Sequence, residues 1–168
     1  MAKQKRAEGV ASTQPRLTER NEERNEELGE RLIQHFVEEA WNKRNLAVID
    51  EVFTSDAVAH DPAVPAVKDV ESIKQFIAAY LTAFPDLQVM VDDLFTTEDR
   101  IATRWTARGT HKGEFLGLAP TEKSMAVTGL TIYRLADGKI AEYWANWDSP
   151  GLLQQLGTVR QEEPAKGA

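Results

Sequence analysis

The side chains through which this chain could do chemistry gather in three places. The first is Trp105 to Thr121, a strand-like run that passes through Gly109-Thr110-His111 into a loop punctuated by Gly113 and Gly117. Successive strand side chains alternate faces, so Trp105, Ala107, Gly109 and His111 share one, which reads as a pocket wall carrying a titratable imidazole. The second is Glu142 to Asp148, where Glu142, Trp144, Asn146 and Asp148 share one parity and Tyr143 and Trp147 the other. A carboxyl group among tryptophans loses solvation for its ionised form, its pKa rises, and it can pass a proton near neutral pH. The third is His60-Asp61-Pro62, set where a short strand runs into a loop, a common address for site residues.

His111 and Asp148 are the leading proton-transfer candidates and His60 is a third, with Asp61 beside it as a contact at the pocket mouth. Trp105, Trp144 and Trp147 would wall the pocket, and Phe36, Phe84 and Tyr133 would line it. Plain structural roles compete with these. Asp is a preferred helix N-cap and Asp148 precedes Ser149-Pro150, while Asp61-Pro62 is also ordinary turn chemistry. Glu142, if it faces inward with Trp144, needs a partner for its charge.

Several other chemistries lack their residues. There is no cysteine, which excludes disulfides, thiolate metal sites and a cysteine nucleophile. No Gly-x-Ser-x-Gly elbow occurs, and Gly109, Gly113 and Gly117 are spaced by four without leading a strand into a helix, so they form no phosphate cradle. His60, Asp61 and His111 have no metal-ligand spacing, and no metal is expected. A formal net charge of -7 disfavours a nucleic-acid partner. The basic first residues lack an apolar core and no apolar run is long enough to span a bilayer, so a cytoplasmic protein without a membrane partner is expected.

The elements that must position these residues follow from periodicity. Residues 1–17 read as a disordered tail, 18–157 as one domain and 158–168 as a flexible tail. Leu28, Leu32, Ile33, Phe36, Val37, Ala40 and Trp41 recur at helical spacing and predict a buried stripe. Asn45 is placed to cap a short helix over 46–53, and 57–60 reads as a short strand. Asp69 is placed to cap a helix that buries Ile73, Phe76, Ile77, Tyr80, Leu81 and Phe84 before Pro85 stops it. The period then falls to two, predicting strands at about 86–96, 100–110, 124–135 and 139–147, with Ala136-Asp137-Gly138 as a tight hairpin turn. A last helical turn starts at Ser149-Pro150. Helices first and antiparallel strands afterwards make an α+β domain.

A set of short motifs resembles one family. His60-Asp61-Pro62, Ala83-Phe84-Pro85-Asp86, Arg104-Trp105, Gly109-Thr110-His111-Lys112-Gly113-Glu114-Phe115, Pro120-Thr121, Gly138-Lys139-Ile140, and Trp144 followed by Trp147-Asp148 are similar to the SnoaL-like polyketide cyclase or ester cyclase family. That family lies within the nuclear-transport-factor-2-like superfamily, and the likeness spreads over 28–156. It implies a cystatin-like, cone-shaped α+β barrel in which three helices close one side of a strongly curved, mainly antiparallel sheet. An apolar central pocket and a homodimer formed through the sheet are implied with it. Family cyclases close a ring by intramolecular aldol reaction without metal or organic cofactor, which implies a small apolar carbonyl compound as the ligand here. Their strand aspartate matches a position within Gly129-Leu130-Thr131-Ile132-Tyr133, where this chain has no carboxylate; the task would then fall to His111, His60 or Asp148. Two other readings stand: a non-catalytic ligand-binding or dimerisation module, and a hydratase or isomerase.

Overall fold

The computed structural model describes residues 14–97 and 99–158; of the tails expected at 1–17 and 158–168, residues 1–13 and 159–168 lie outside the described residues. Helix α1 (Gln14–Phe36) starts ahead of residue 18 and runs directly into a π-helical stretch, Val37–Asn42. Its stripe buries Ile33, Phe36, Val37 and Ala40, but Leu28, expected at the head of the stripe, is 57% exposed. At that level the helix presents Gly29 to Ile101, and a residue one step away points about 100° off. The wide turns end on Lys43 N–H to Glu38 O at 2.8 Å, a π-type bond, and on Asn45 N–H to Glu39 O at 2.8 Å, one residue wider. They bring the Asn42 amide to the backbone of Val89, to which it donates at 3.0 Å and from which it accepts at 2.8 Å. This clamps the end of the helix to the strand that carries Val89.

Helix α2 (Val48–Val52) is shorter than the expected 46–53, because Asn45 does not cap it; the Asn45 amide donates instead to Glu39. Phe53 is extended, with φ -102° and ψ 151°, and opens strand β1 (Phe53–His60) four residues before the predicted start at 57. Burial explains the change: Phe53 is 2% exposed, packs edge-on against Phe36 at 5.3 Å and pairs with Ile140. A buried aromatic gains more from that contact than from one more residue of a marginal helix. Helix α3 (Val70–Ala83) follows its prediction, held by a capping box in which Asp69 accepts from the Ser72 N–H and Ser72 Oγ accepts from the Asp69 N–H.

The rest is β2 (Gln88–Thr96), β3 (Arg100–Thr110), β4 (Ser124–Ala136), β5 (Lys139–Trp147) and helix α4 (Ser149–Leu156). Asp86, read as the first residue of β2, instead accepts from the Thr110 N–H and hydroxyl, each at 2.7 Å, and pins the end of β3. Asp137 and Gly138 both have positive φ, 52° and 75°, the signature of a two-residue hairpin turn whose twist suits the flanking strands. The strands form one sheet in the order β1-β5-β4-β3-β2, with β1 parallel to β5 and every other pair antiparallel. This is the α+β architecture, a curled, unclosed sheet with the helices packed into its hollow. The hollow is where the site must lie.

Candidate active site

Register across the sheet sets the floor of the hollow. Trp105 of β3 pairs with Gly129 of β4, which pairs with Trp147 of β5; one step along, Thr103 pairs with Thr131 and Thr131 with Ala145. Gly129 has to be glycine, since a Cβ there would fall inside the Trp105 ring, which lies across it. The two indoles each donate to a polar group of the floor. Trp105 Nε1 gives its hydrogen to Thr131 Oγ1 at 3.0 Å, and Trp147 Nε1 gives its hydrogen to Asp61 Oδ2 at 3.0 Å.

Over this floor lies a cavity closed by Phe36 and Trp41 from the first helical segment and by Phe76 and Tyr80 from α3, with Tyr133 and Tyr143 at its β4–β5 wall. The centre of a water molecule can roam about 110 Å³ of it, several times the roughly 10–15 Å³ that one enclosed water needs. An organic ligand fits. The lining is almost wholly apolar, and among the described residues its one carboxylate is Asp61, 7% exposed, whose Oδ1 accepts from the Ala63 N–H at 2.9 Å. That bond is the Asx turn expected of Asp-Pro, and it fixes the carboxylate against the cavity wall. Each oxygen keeps a lone pair for a ligand proton.

The phenols of the lining are strongly desolvated. Burial pushes Tyr80 and Tyr143 well above the usual tyrosine range, and the negative charge of Asp61 adds to the rise in both, as neighbouring Tyr133 does for Tyr143. Tyr133 is pushed up to about 12 by burial, with the hydroxyls of Thr131 and Thr103 offsetting part of the change. All three therefore keep their protons at any ordinary pH and act as hydrogen-bond donors. Asp61 and Trp147 also line a shallow outer depression with Pro62, Ala63, Asn146 and Ser149, so this pair forms the partition between cavity and solvent.

Of the residues singled out from sequence, Asp61, Trp105, Trp147, Phe36 and Tyr133 meet at the cavity, and the others lie elsewhere. His111 is fully buried behind the wall, beside Phe84 at 5.4 Å and Phe115 at 6.4 Å. Its Nδ1 accepts from the Thr121 N–H at 3.2 Å and lies 3.0 Å from the Thr121 hydroxyl, tying the two ends of the 111–123 loop. Phe84 is likewise fully buried in the core. Asp148 is exposed and caps α4 by accepting from the Gly151 N–H at 2.9 Å. His60 and Trp144 are on the convex face, stacked at 5.3 Å, where His60 Nε2 meets Glu142 Oε1 at 2.9 Å. Glu142 accepts from Arg134 as well, and these bonds, His60 first, hold its carboxyl below the ordinary glutamate range. Glu142 thus has its partners outside the hollow. Among the described residues no three acidic or histidine side chains converge as metal ligands.

The sequence reading passed over Tyr80, Tyr143, Trp41 and Phe76 as site residues. Tyr143 was within reach, because it shares the parity of Trp147.

The model of the SnoaL-like polyketide cyclase family matches residues 31–156, three quarters of the chain. The chain belongs to the SnoaL-like polyketide cyclase family. Among solved structures, it is 34% identical to IdmH of Streptomyces antibioticus, provisionally described as a polyketide cyclase, with a TM-score of 0.68 over 76% of this chain and 97% of that one. AclR of Streptomyces galilaeus, provisionally described as a hydroxylase, is 29% identical with a TM-score of 0.70 over 83% of this chain and 88% of that one. A SnoaL-like protein from Jannaschia sp. CCS1 shares the fold at 23% identity, with a TM-score of 0.72 over 80% of this chain and 95% of that one. No curated protein sequence matches the chain.

Thr131, in the strand segment where the family resemblance implies an aspartate, lies on the cavity floor. The carboxylate comes instead from the end of β1. A base fixed by two donors at the wall of a dry, aromatic cavity suits removal of a proton from a carbon acid.

Proposed function

We propose that this SnoaL-like protein is a cofactor-independent acid–base enzyme that acts on a small, apolar carbonyl compound. The observation that carries this reading is that Asp61 is the cavity's one carboxylate, held by the Trp147 indole and the Ala63 amide among aromatic walls. As a carboxylate it takes a proton from the carbon next to a carbonyl, and the electron pair moves onto the carbonyl oxygen. The enolate carbon then attacks a second carbonyl of the same molecule, whose oxygen takes the proton back from Asp61. Atoms and charge balance without a co-reactant. His111 and Asp148 serve the scaffold in this reading, one as a loop tie and the other as a helix cap.

The test uses 2-tetralone, a bicyclic ketone with an acidic C–H, in deuterated water. Wild-type protein accelerates loss of its C1 proton signal by NMR, and Asp61→Asn abolishes the acceleration. Equal rates with and without wild-type protein would end the enzyme reading and leave a binding module.

We further propose that two copies pair through the convex face of the sheet, which exposes Val58, Leu130 and Ile132. Light scattering tests this: Leu130→Lys shifts a dimer to a monomer, and an unchanged dimer would place the contact elsewhere.

A further inference from the structure

The cavity has a second polar pole. Thr103, Thr131 and Tyr133 are 3%, 5% and 6% exposed, and all three line the cavity on the β3–β4 side of the floor. Four hydrogens serve this cluster: the Trp105 indole N–H and the hydroxyls of Thr103, Thr131 and Tyr133. Two are committed, because Trp105 donates to Thr131 Oγ1 at 3.0 Å and the Thr103 hydroxyl donates to the Thr131 carbonyl at 3.3 Å. The Thr131 and Tyr133 hydrogens remain, and a hydroxyl rotor turns at little cost. They can bond within the cluster or out into the cavity.

The position of the cluster gives its meaning. His60 pairs with Trp144 in the parallel β1–β5 register, so Asp61 follows beside Ala145, which pairs with Thr131. Base and hydroxyls thus stand in one row across the floor, two strand spacings apart, or about 10 Å between backbones. Side chains rising from a concave floor approach one another over such a span. A flat ligand laid between them touches both, with the apolar residues of α1 and α3 on its open side.

We propose that Thr131 and Tyr133 form the oxygen-binding pole of this cavity, receiving the oxygen of the carbonyl next to the C–H that faces Asp61. This rests on the proton-abstraction reading given above. When Asp61 takes the proton, the electron pair moves to that oxygen as an enolate, and the two hydroxyls meet the new charge without transferring their own protons. Burial keeps Tyr133 protonated throughout, as a donor must be.

The geometry implies a preference that binding alone reveals. Naphthalene and 2-naphthol have nearly the same shape and differ by the oxygen that this pole would hold. Titration of tryptophan fluorescence in wild-type protein yields tighter binding of 2-naphthol by roughly fivefold or more, the worth of one buried hydrogen bond. The double variant Thr131→Val, Tyr133→Phe erases that preference, and Tyr133→Phe with Thr131→Ser restores part of it by returning one hydroxyl. Circular dichroism establishes that each variant is folded. A second readout is the infrared C=O stretch of bound 2-tetralone, shifted to lower frequency in wild type and in Asp61→Asn but not in the double variant. An absent preference in wild type, or one kept in the folded double variant, overturns the proposal. Failure of proton exchange with the preference intact removes the role of Asp61 and leaves the oxygen pole standing.

Discussion

His60 and Asp61 are neighbours in sequence, and they belong to opposite faces of the sheet. His60 stands on the convex side, 44% exposed at its side chain, stacked on Trp144 and paired with a Glu142 that is shared with Arg134. Asp61 turns to the concave side, is 7% exposed, and touches Trp147 and the cavity. Both pair an ionisable group with a tryptophan. Only the inner one lies in a dry space where a proton has a reason to move, because on the outer face water screens the charges and competes for every bond. A titratable residue beside an aromatic ring is therefore poor evidence for a site until the face is known.

The largest effect that would break this comparison comes from Asp61. Asp61→Asn lowers exchange into 2-tetralone by roughly 10²–10⁴-fold, the usual worth of a positioned proton-transfer group, while His60→Gln leaves the rate within a factor of two or so. Next comes packing behind the cavity. Phe84 is fully buried among Tyr80, His111 and Phe115. Phe84→Ala costs about 3–5 kcal/mol in denaturant unfolding, and a loss below 1 kcal/mol would contradict its place in the core. Asp148→Ala removes a cap and costs about 1 kcal/mol, with exchange unchanged; lost activity without lost stability would return Asp148 to the site.

The smallest effect belongs to the outer pair and shows as pH dependence. The folded pKa of Glu142 lies below its ordinary value of 4.5. Its contribution to stability is therefore complete above that value and fades as pH falls through the lower, folded one. Glu142→Gln flattens this acid limb in pH-dependent melting curves. An unchanged limb would mean that the bonds to His60 and Arg134 add nothing in solution.

Much of this was legible in the sequence. Period-two alternation gives the ends of β3 and β5, and Asp69 is legible as a cap, whereas at Asp148 a cap and a proton-transfer role compete in the sequence and the bond from the Gly151 N–H shows the cap. The family pattern implied a hollow with tryptophans in it. What parity cannot do is say which of its two faces is inward. On β5 the choice between Glu142-Trp144-Asn146 and Tyr143-Ala145-Trp147 is made by the pairing of β5 between β1 and β4, a long-range contact. The same limit hid Phe53, whose strand conformation comes from a partner 87 positions away in the chain, Ile140.

Asp61 was underrated for a related reason. Asp-Pro reads as turn chemistry, and that turn exists in the Ala63 bond. The other carboxylate oxygen carries the difference, since it meets the indole of a residue on another strand. Parity puts His111 on the face of Trp105 only while the strand continues; β3 ends at Thr110, the chain leaves the floor there, and His111 does not reach the cavity.

The central claim is that the inner carboxylate, and no convex-face or capping group, moves the proton. Deuterium exchange into 2-tetralone, measured side by side in folded Asp61→Asn, His60→Gln and Asp148→Asn proteins, tests it most directly. Exchange is lost in the first and kept in the other two. Exchange kept in Asp61→Asn and lost in either of the others would contradict it.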